Sequence, residues 1–289
     1  MVRKVACPHR HAIEVGMLVE KFPPSRSRRA LIFSVGMGLA LALPSLQAIE
    51  LSRAEATRIG RKVWQNECGG TIAGLTSWNA GENFPSLGIG HFIWYPKGAH
   101  GPFEESFPDL VTYLAKRDAK LPNVVTANRD GCPWRARAEF LAAQGGAEMK
   151  NLRQFLADTI DGQAEFLVLR LQNALPKMLA ATPAGDRAAV KERFARVAST
   201  PQGCYALVDY VNFKGEGVLD SERYQGQGWG LLQVLQDMNG NPDGPGAARA
   251  FSASARQVLT RRVKNSPAAR KESRWLAGWL DRVQGYARN

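Results

Sequence analysis

Cysteine is scarce in this chain and does not cluster. The four cysteines, Cys7, Cys68, Cys132 and Cys204, have none of the paired spacings from which zinc sites are built, so they match no metal-site pattern. Long apolar runs are also missing. The stretch over residues 30–43 falls short of the roughly 20 apolar residues a membrane-spanning helix needs. No internal repeat is visible, which points to one domain rather than an array.

The short apolar stretch has a distinctive setting. Arg26, Arg28 and Arg29 precede it, Pro44 ends it, and Ala48 offers a small residue for cleavage. That is the order of a secretory signal peptide, so residues 1–48 read as a signal and 49–289 as the domain, periplasmic or secreted. Met17 is an alternative start, and an uncleaved N-terminal anchor is the other reading. Seven basic and two acidic residues lie in 1–48, so cleavage lowers the formal charge from +12 to +7. Eight of the remaining cations fall in residues 249–274. Outside the cytoplasm such a surface suits anionic wall polymers, and export argues against nucleic acid as partner. A solvated, Arg-rich helix face is the alternative.

Export also permits cysteine oxidation. Three cysteines remain after cleavage, leaving one unpaired. Cys204 opens an apolar run and reads as the buried free thiol, while Cys68 and Cys132, both at element boundaries, are the expected disulfide.

Ser52 followed by Glu55 is a capping box. The helix it opens carries Ala56, Ile59, Val63 and Trp64 on one face and ends at Cys68-Gly69-Gly70. Residues 71–73 and 87–95 read as strands around a turn at 79–83. Helices are expected over 109–117, 134–143, 149–158, 161–180, 186–198, 203–214, 228–239, 245–263 and 271–286, punctuated by Pro176, Pro183 and Pro201.

Glu67 ends the first helix and faces this aromatic-rich hairpin. A carboxyl group placed so, with the hairpin as one wall of a cleft, suits protonation of a glycosidic oxygen. Glu82 or Asn79 is the candidate second group, a carboxylate activating water or an amide orienting it, and the Ser86 hydroxyl can hold that water. Trp78, Trp94 and Tyr95 are candidates for stacking on sugar faces. His91 reads as a hydrogen-bonded residue behind the hairpin that also borders the cleft. The amide-rich interval 222–233 offers Gln225, Gln227 and Trp229 to a polysaccharide.

In this order, Glu67, Ser86 and Gly88-Ile89-Gly90-His91 resemble the phage-type lysozymes, the endolysin branch of the lysozyme superfamily. Two further stretches are similar to that family. One is Asp209-Tyr210-Val211-Asn212-Phe213-Lys214-Gly215, an apolar helix ending in an Asn/Phe pair and a glycine. The other is the Arg- and Trp-bearing terminus over 274–286. The resemblance spans most of 49–289, although residues 97–200 are longer than the family needs. It implies an α+β, mainly α, lysozyme-like helical domain whose small β-hairpin or sheet forms one cleft wall. It further implies a monomeric, cofactor-free muramidase acting on peptidoglycan or a related amino-sugar polymer, with Glu67 as general acid. The chain departs from the family at the second group. No aspartate lies between Glu67 and His91, Asn79 is nearest the family's Asp position, and Ser86 replaces its Thr.

Three alternatives stay open. Without a second carboxylate, attack by the sugar's own hydroxyl gives lytic transglycosylase chemistry at Glu67. Glu216 followed by Gly230-Leu231-Leu232-Gln233 is similar to the Glu…Gly-Leu-Met-Gln pattern of exported lytic transglycosylases. A non-catalytic murein-binding protein is the third.

Overall fold

The first helix, α1 (Arg53–Cys68), is fixed at both ends by its own sequence. At its start the Ser52 hydroxyl accepts from the Glu55 amide at 3.3 Å, while the Glu55 carboxylate accepts from the Ser52 amide at 2.9 Å. At its end Gly69 adopts a left-handed φ of 61° and its N–H reaches back to the carbonyls of Trp64 and Gln65, a glycine stop. The computed structural model describes residues 51–101 and 103–288. The signal segment expected over 1–48, with Cys7 and Met17, lies outside the described residues.

A small antiparallel sheet follows, of β1 (Thr76–Ser77), β2 (Ser86–Leu87) and β3 (Phe92–Ile93), paired in that order. Its registers are Thr76 with Leu87 and Leu87 with Phe92. Both expected strands are corrected. Residues 71–73 turn into a short 3-10 helix, Ala73–Leu75. The run 87–95 is broken because Gly88 and His91 take φ of 71° and 50°, closing a turn in which the His91 amide donates to the Gly88 carbonyl.

The rest is mainly helical: α2 (Phe107–Ala115), α3 (Asn123–Thr126), α4 (Arg137–Ala142), α5 (Ala147–Asp158), α6 (Ile160–Ala180), α7 (Arg187–Ala198) and α8 (Pro201–Lys214). A second hairpin, β4 (Arg223–Tyr224) with β5 (Gln227–Gly228), precedes α9 (Leu231–Gln236), α10 (Pro245–Asn265) and α11 (Ser273–Gln284). Pro176 lies inside α6 and does not end it. Ala174, Leu175 and Met178 around it are core residues, and their burial offsets the roughly 3 kcal/mol a mid-helix proline costs. No described helix is long and apolar enough to cross a membrane.

Helices α1 and α6 make the most extensive helix contact, and their approach sets the floor beneath the sheet. Gly60 of α1 lies so near Ala164 of α6 that a Cβ there would stand 2.4 Å from the alanine Cβ. One residue away, the fully buried Gln163 accepts from the Ile89 amide at 2.9 Å and donates to the Leu156 carbonyl at 2.6 Å. Its carboxamide thus clamps the Gly88–His91 turn to the helical body.

The expected disulfide is not formed. Cys68, Cys132 and Cys204 are all free and buried. Cys68 Sγ donates to the Gly88 carbonyl at 3.4 Å, whereas Cys132 is held by backbone bonds to Tyr95 and Lys97, so each thiol is seated on a different segment. Burial pushes all three thiols up to about 12, the range of inert structural cysteines. In the C-terminal basic run Arg249, Lys264, Arg270, Lys271 and Arg274 are exposed, whereas two arginines are committed to carboxylates. Arg261 pairs with Asp237 at 2.6 Å, and Arg262 grips Glu272 through two nitrogens at 2.8 and 2.9 Å.

The Gly60–Ala164 contact leaves no room for a side chain. Gly60→Leu is expected to destabilise the protein by about 1–3 kcal/mol through overpacking, read as a lowered midpoint in denaturant unfolding. An unchanged midpoint would mean that the two helices do not meet so closely.

Candidate functional site

Glu67 sits in the last turn of α1 with 15% of its side chain exposed. Its Oε1 accepts from Arg282 Nη2 at 2.5 Å and from Asn212 Nδ2 at 3.5 Å. Its Oε2 lies 3.6 Å from His91 Nδ1. The carboxylate is therefore ringed by groups from the turn after β2, the end of α8, and α11. The last turn of α1 is held in place from below, since Asn66 donates to Tyr205 Oη at 2.7 Å and to Asp209 Oδ1 at 3.1 Å.

Beneath Glu67 lies a completed polar core. Asp209, fully buried in α8, accepts from Arg282 Nε and Nη2 at 2.8 Å each and from the Tyr286 hydroxyl at 2.5 Å. Desolvation alone would lower the Arg282 pKa, but Asp209 and Glu67 together raise it well above the ordinary value. Tyr205 is pushed up to about 12 by burial and then by Asp209. The guanidinium also lies 4.1 Å above the Phe213 ring.

Next to this cluster Lys214 closes α8 with its ammonium 3.4 Å from the Trp279 ring centre and 3.8 Å from that of Phe213. Ring faces favour the charged amine. Desolvation and the Arg262 and Arg282 cations outweigh them, together with Glu272 and Glu67, and hold the lysine pKa well below its usual value.

His91, expected behind the hairpin, stands beside Glu67, and its buried Nε2 has no hydrogen-bond partner among the described residues. Among the described residues no hydrogen bond or ion pair joins the other expected site residues to the Glu67 carboxylate. Glu82 accepts from Asn79 at 3.2 Å within the β1–β2 turn, and Ser86 is buried in β2 beside Ser77. The sugar stacking expected of Trp78, Trp94 and Tyr95, and the polysaccharide contact expected of Trp229, are corrected by burial: the four are 4, 2, 3 and 6% exposed. Trp78 donates to the Glu82 carbonyl and Tyr95 bonds through its hydroxyl to Phe103. Trp229 is covered by Tyr224 and Arg262. Gln225 and Gln227 are exposed, but both bond to Asn265 at the end of α10.

The residues of the alternative motif close a loop. Gln233 accepts from the Gly230 amide and donates to the Gly217 carbonyl, both at 3.0 Å. Glu216 pairs with Lys177 at 2.9 Å. Glu222 accepts from the amides of Gly217 and Leu219, and burial raises its pKa.

Asp209, Asn212, Lys214 and Arg282 lie in the stretches that carry the resemblance, but their pattern in the sequence assigns them no role. One signal was available: an acid inside the apolar run 204–211 must find a buried cation. Among the described residues no group of His, Cys, Asp and Glu could hold a metal ion. No family model, curated protein or solved structure matches the chain.

Removing one partner of the buried pair should cost far more than altering the outer carboxylate. Asp209→Ala is expected to lose about 3–5 kcal/mol in denaturant unfolding, because Arg282 stays buried with half its partners gone. Glu67→Gln should lose much less, since Asp209 still holds the guanidinium. Equal losses would show that Glu67 is part of the structural pair.

Lys214 gives a pH signature. The unfolded chain binds a proton that the folded lysine resists, so stability rises with pH between the lowered folded value and the ordinary lysine value. Thermal melts from about pH 6 to about pH 10 should show that rise, and Lys214→Met should flatten it. An unchanged slope would mean that the amine is as well solvated as in the unfolded chain.

Proposed function

We propose that the protein cleaves a peptidoglycan-type glycan between its amino sugars, with Glu67 as the group that transfers the proton. The observation that carries this reading is the placement of Glu67: at the end of a helix, partly open, and fixed by Arg282, Asn212 and His91. Those partners come from the three stretches whose order resembles the phage-type lysozymes. A carboxylate held this firmly while still reached by solvent is suited to acid–base work on a bound bond.

The second reading, lytic transglycosylase chemistry at Glu67, is favoured by the lack of a second carboxylate free to act beside Glu67 among the described residues. Asp209 Oδ1 and Glu67 Oε1 both contact Arg282 Nη2, a closeness compatible with the roughly 5–5.5 Å carboxyl separation of retaining glycosidases. Asp209, however, has no exposed surface and is already bonded by Arg282, Tyr286 and Asn66. It is not available to a sugar, and Glu82 is engaged within its own turn. With one carboxylate, Glu67 first takes the proton of the sugar hydroxyl that attacks the anomeric carbon. Glu67 then passes that same proton to the departing oxygen as the glycosidic bond breaks, so it serves as base and acid in turn and ends as it began.

Digestion of purified peptidoglycan by the protein and by Glu67→Gln, with fragment masses measured, tests both readings. Reducing-end muropeptides from the parent alone mark hydrolysis, and anhydro-muropeptides mark the transglycosylase. If neither protein releases fragments while both still bind the sacculus, the proposed activity fails and a murein-binding role replaces it.

A further inference from the structure

A cavity of about 430 Å³ opens between α2 and α3, built by residues that play no part in the Glu67 cluster. Its floor is apolar: Trp94 and Phe107, whose ring centres lie 4.9 Å apart, together with Val125, are all buried. Val111 and Leu121, half-buried, form the walls. The volume is at the small end of the range for ligand pockets, room for one slender chain.

The rim has a different character. Lys116 and Arg129 line it and are exposed, and neither has an ion-pair partner among the described residues. Their immediate neighbours differ: Arg117 pairs with Glu165 and Asp130 with Lys97. Among the described residues no carboxylate lines the cavity. Its uncharged polar side chains are turned to local backbone, Thr112 to the Pro108 carbonyl, Thr126 to Asn123 and Asn128 to Val124. The opening therefore offers two uncommitted cations above an apolar well.

We propose that this cavity binds a single-chain amphiphile with a carboxylate head, a medium-chain fatty acid anion, its tail against Trp94 and Phe107 and its head between Lys116 and Arg129. Burying the chain supplies the affinity, and the rim selects the sign of the head group.

Calorimetric titration of the full-length protein with decanoate, decanol and decyltrimethylammonium, all below their micelle concentrations, tests this. Two variants accompany it: K116E/R129E, which reverses the rim on exposed positions, and Val111→Phe, which fills the well. Decanoate is expected to bind saturably at one site, more tightly than decanol. Its affinity should fall about tenfold in K116E/R129E, and that variant should prefer decyltrimethylammonium. Val111→Phe should weaken all three. The apolar stretch over residues 30–43 would take up the three amphiphiles alike and ignore the rim reversal. Equal decanoate binding by parent and K116E/R129E, or no saturable binding, would overturn the proposal. So would binding to phosphatidylglycerol vesicles without binding of decanoate, which would mark a membrane-facing patch instead.

Discussion

The arrangement around Glu67 depends on one desolvated ion pair, Asp209 with Arg282. A carboxylate buried in α8 without partners would cost several kcal/mol. It is tolerated because two guanidinium nitrogens, a tyrosine hydroxyl and an asparagine amide converge on it. Those groups come from α11, from the turn that follows it and from α1. Satisfying Asp209 therefore draws the C-terminal elements over α8 and holds the end of α1 beside them. Arg282 is committed to Asp209 first, and its remaining contact fixes Glu67. The candidate catalytic group thus takes its position from a residue that no substrate can reach.

The same economy explains why Lys214 and Trp279 lie where they do. Arg262 is bound by Glu272, with Tyr224 donating to the same carboxylate. That pair secures α10 to the start of α11. Lys214, with no ion-pair partner among the described residues, lies against the faces of Phe213 and Trp279. A neutral amine tolerates such a place; an ammonium pays for it in lost hydration. The two arginines are spent on buried carboxylates, and the lysine is the cation left under strain.

Local signals in the sequence located the local structure. The Ser52/Glu55 box and Gly69 bound α1 within a residue, because caps act through neighbouring backbone. The long periodic stretches became helices with shifted ends. Strands failed where conformation depended on distant partners. The turn at Gly88 to His91 needs Gln163, far along the chain, to hold the Ile89 amide, and no strand propensity encodes that clamp. The aromatics misled for a related reason. Alternation in a half-buried strand presents Trp78 and Trp94 as equally fit for core or cleft, and only packing against Phe140 and Phe107 decides for the core. Glu67 was legible because it ends a helix by sequence alone. Asp209, Arg282 and Lys214 were not, since a charge among apolar residues reveals that it needs a partner but not which one.

Residues 97–200 are not an appendage. They contain α6, whose Ala164 receives Gly60 and whose Gln163 holds the turn that presents His91 to Glu67. Thr57 of α1 is also bonded to Asp161 at the start of α6. The elements that carry the resemblance are thus anchored on a helix that does not. The same region supplies α2 and α3 and the cavity between them, far in character from the polar Glu67 cluster: one site is assembled from charges that satisfy each other, the other from apolar walls and cations left unsatisfied. A helix that must hold α1 and the sheet turn together cannot be shortened without loosening Glu67.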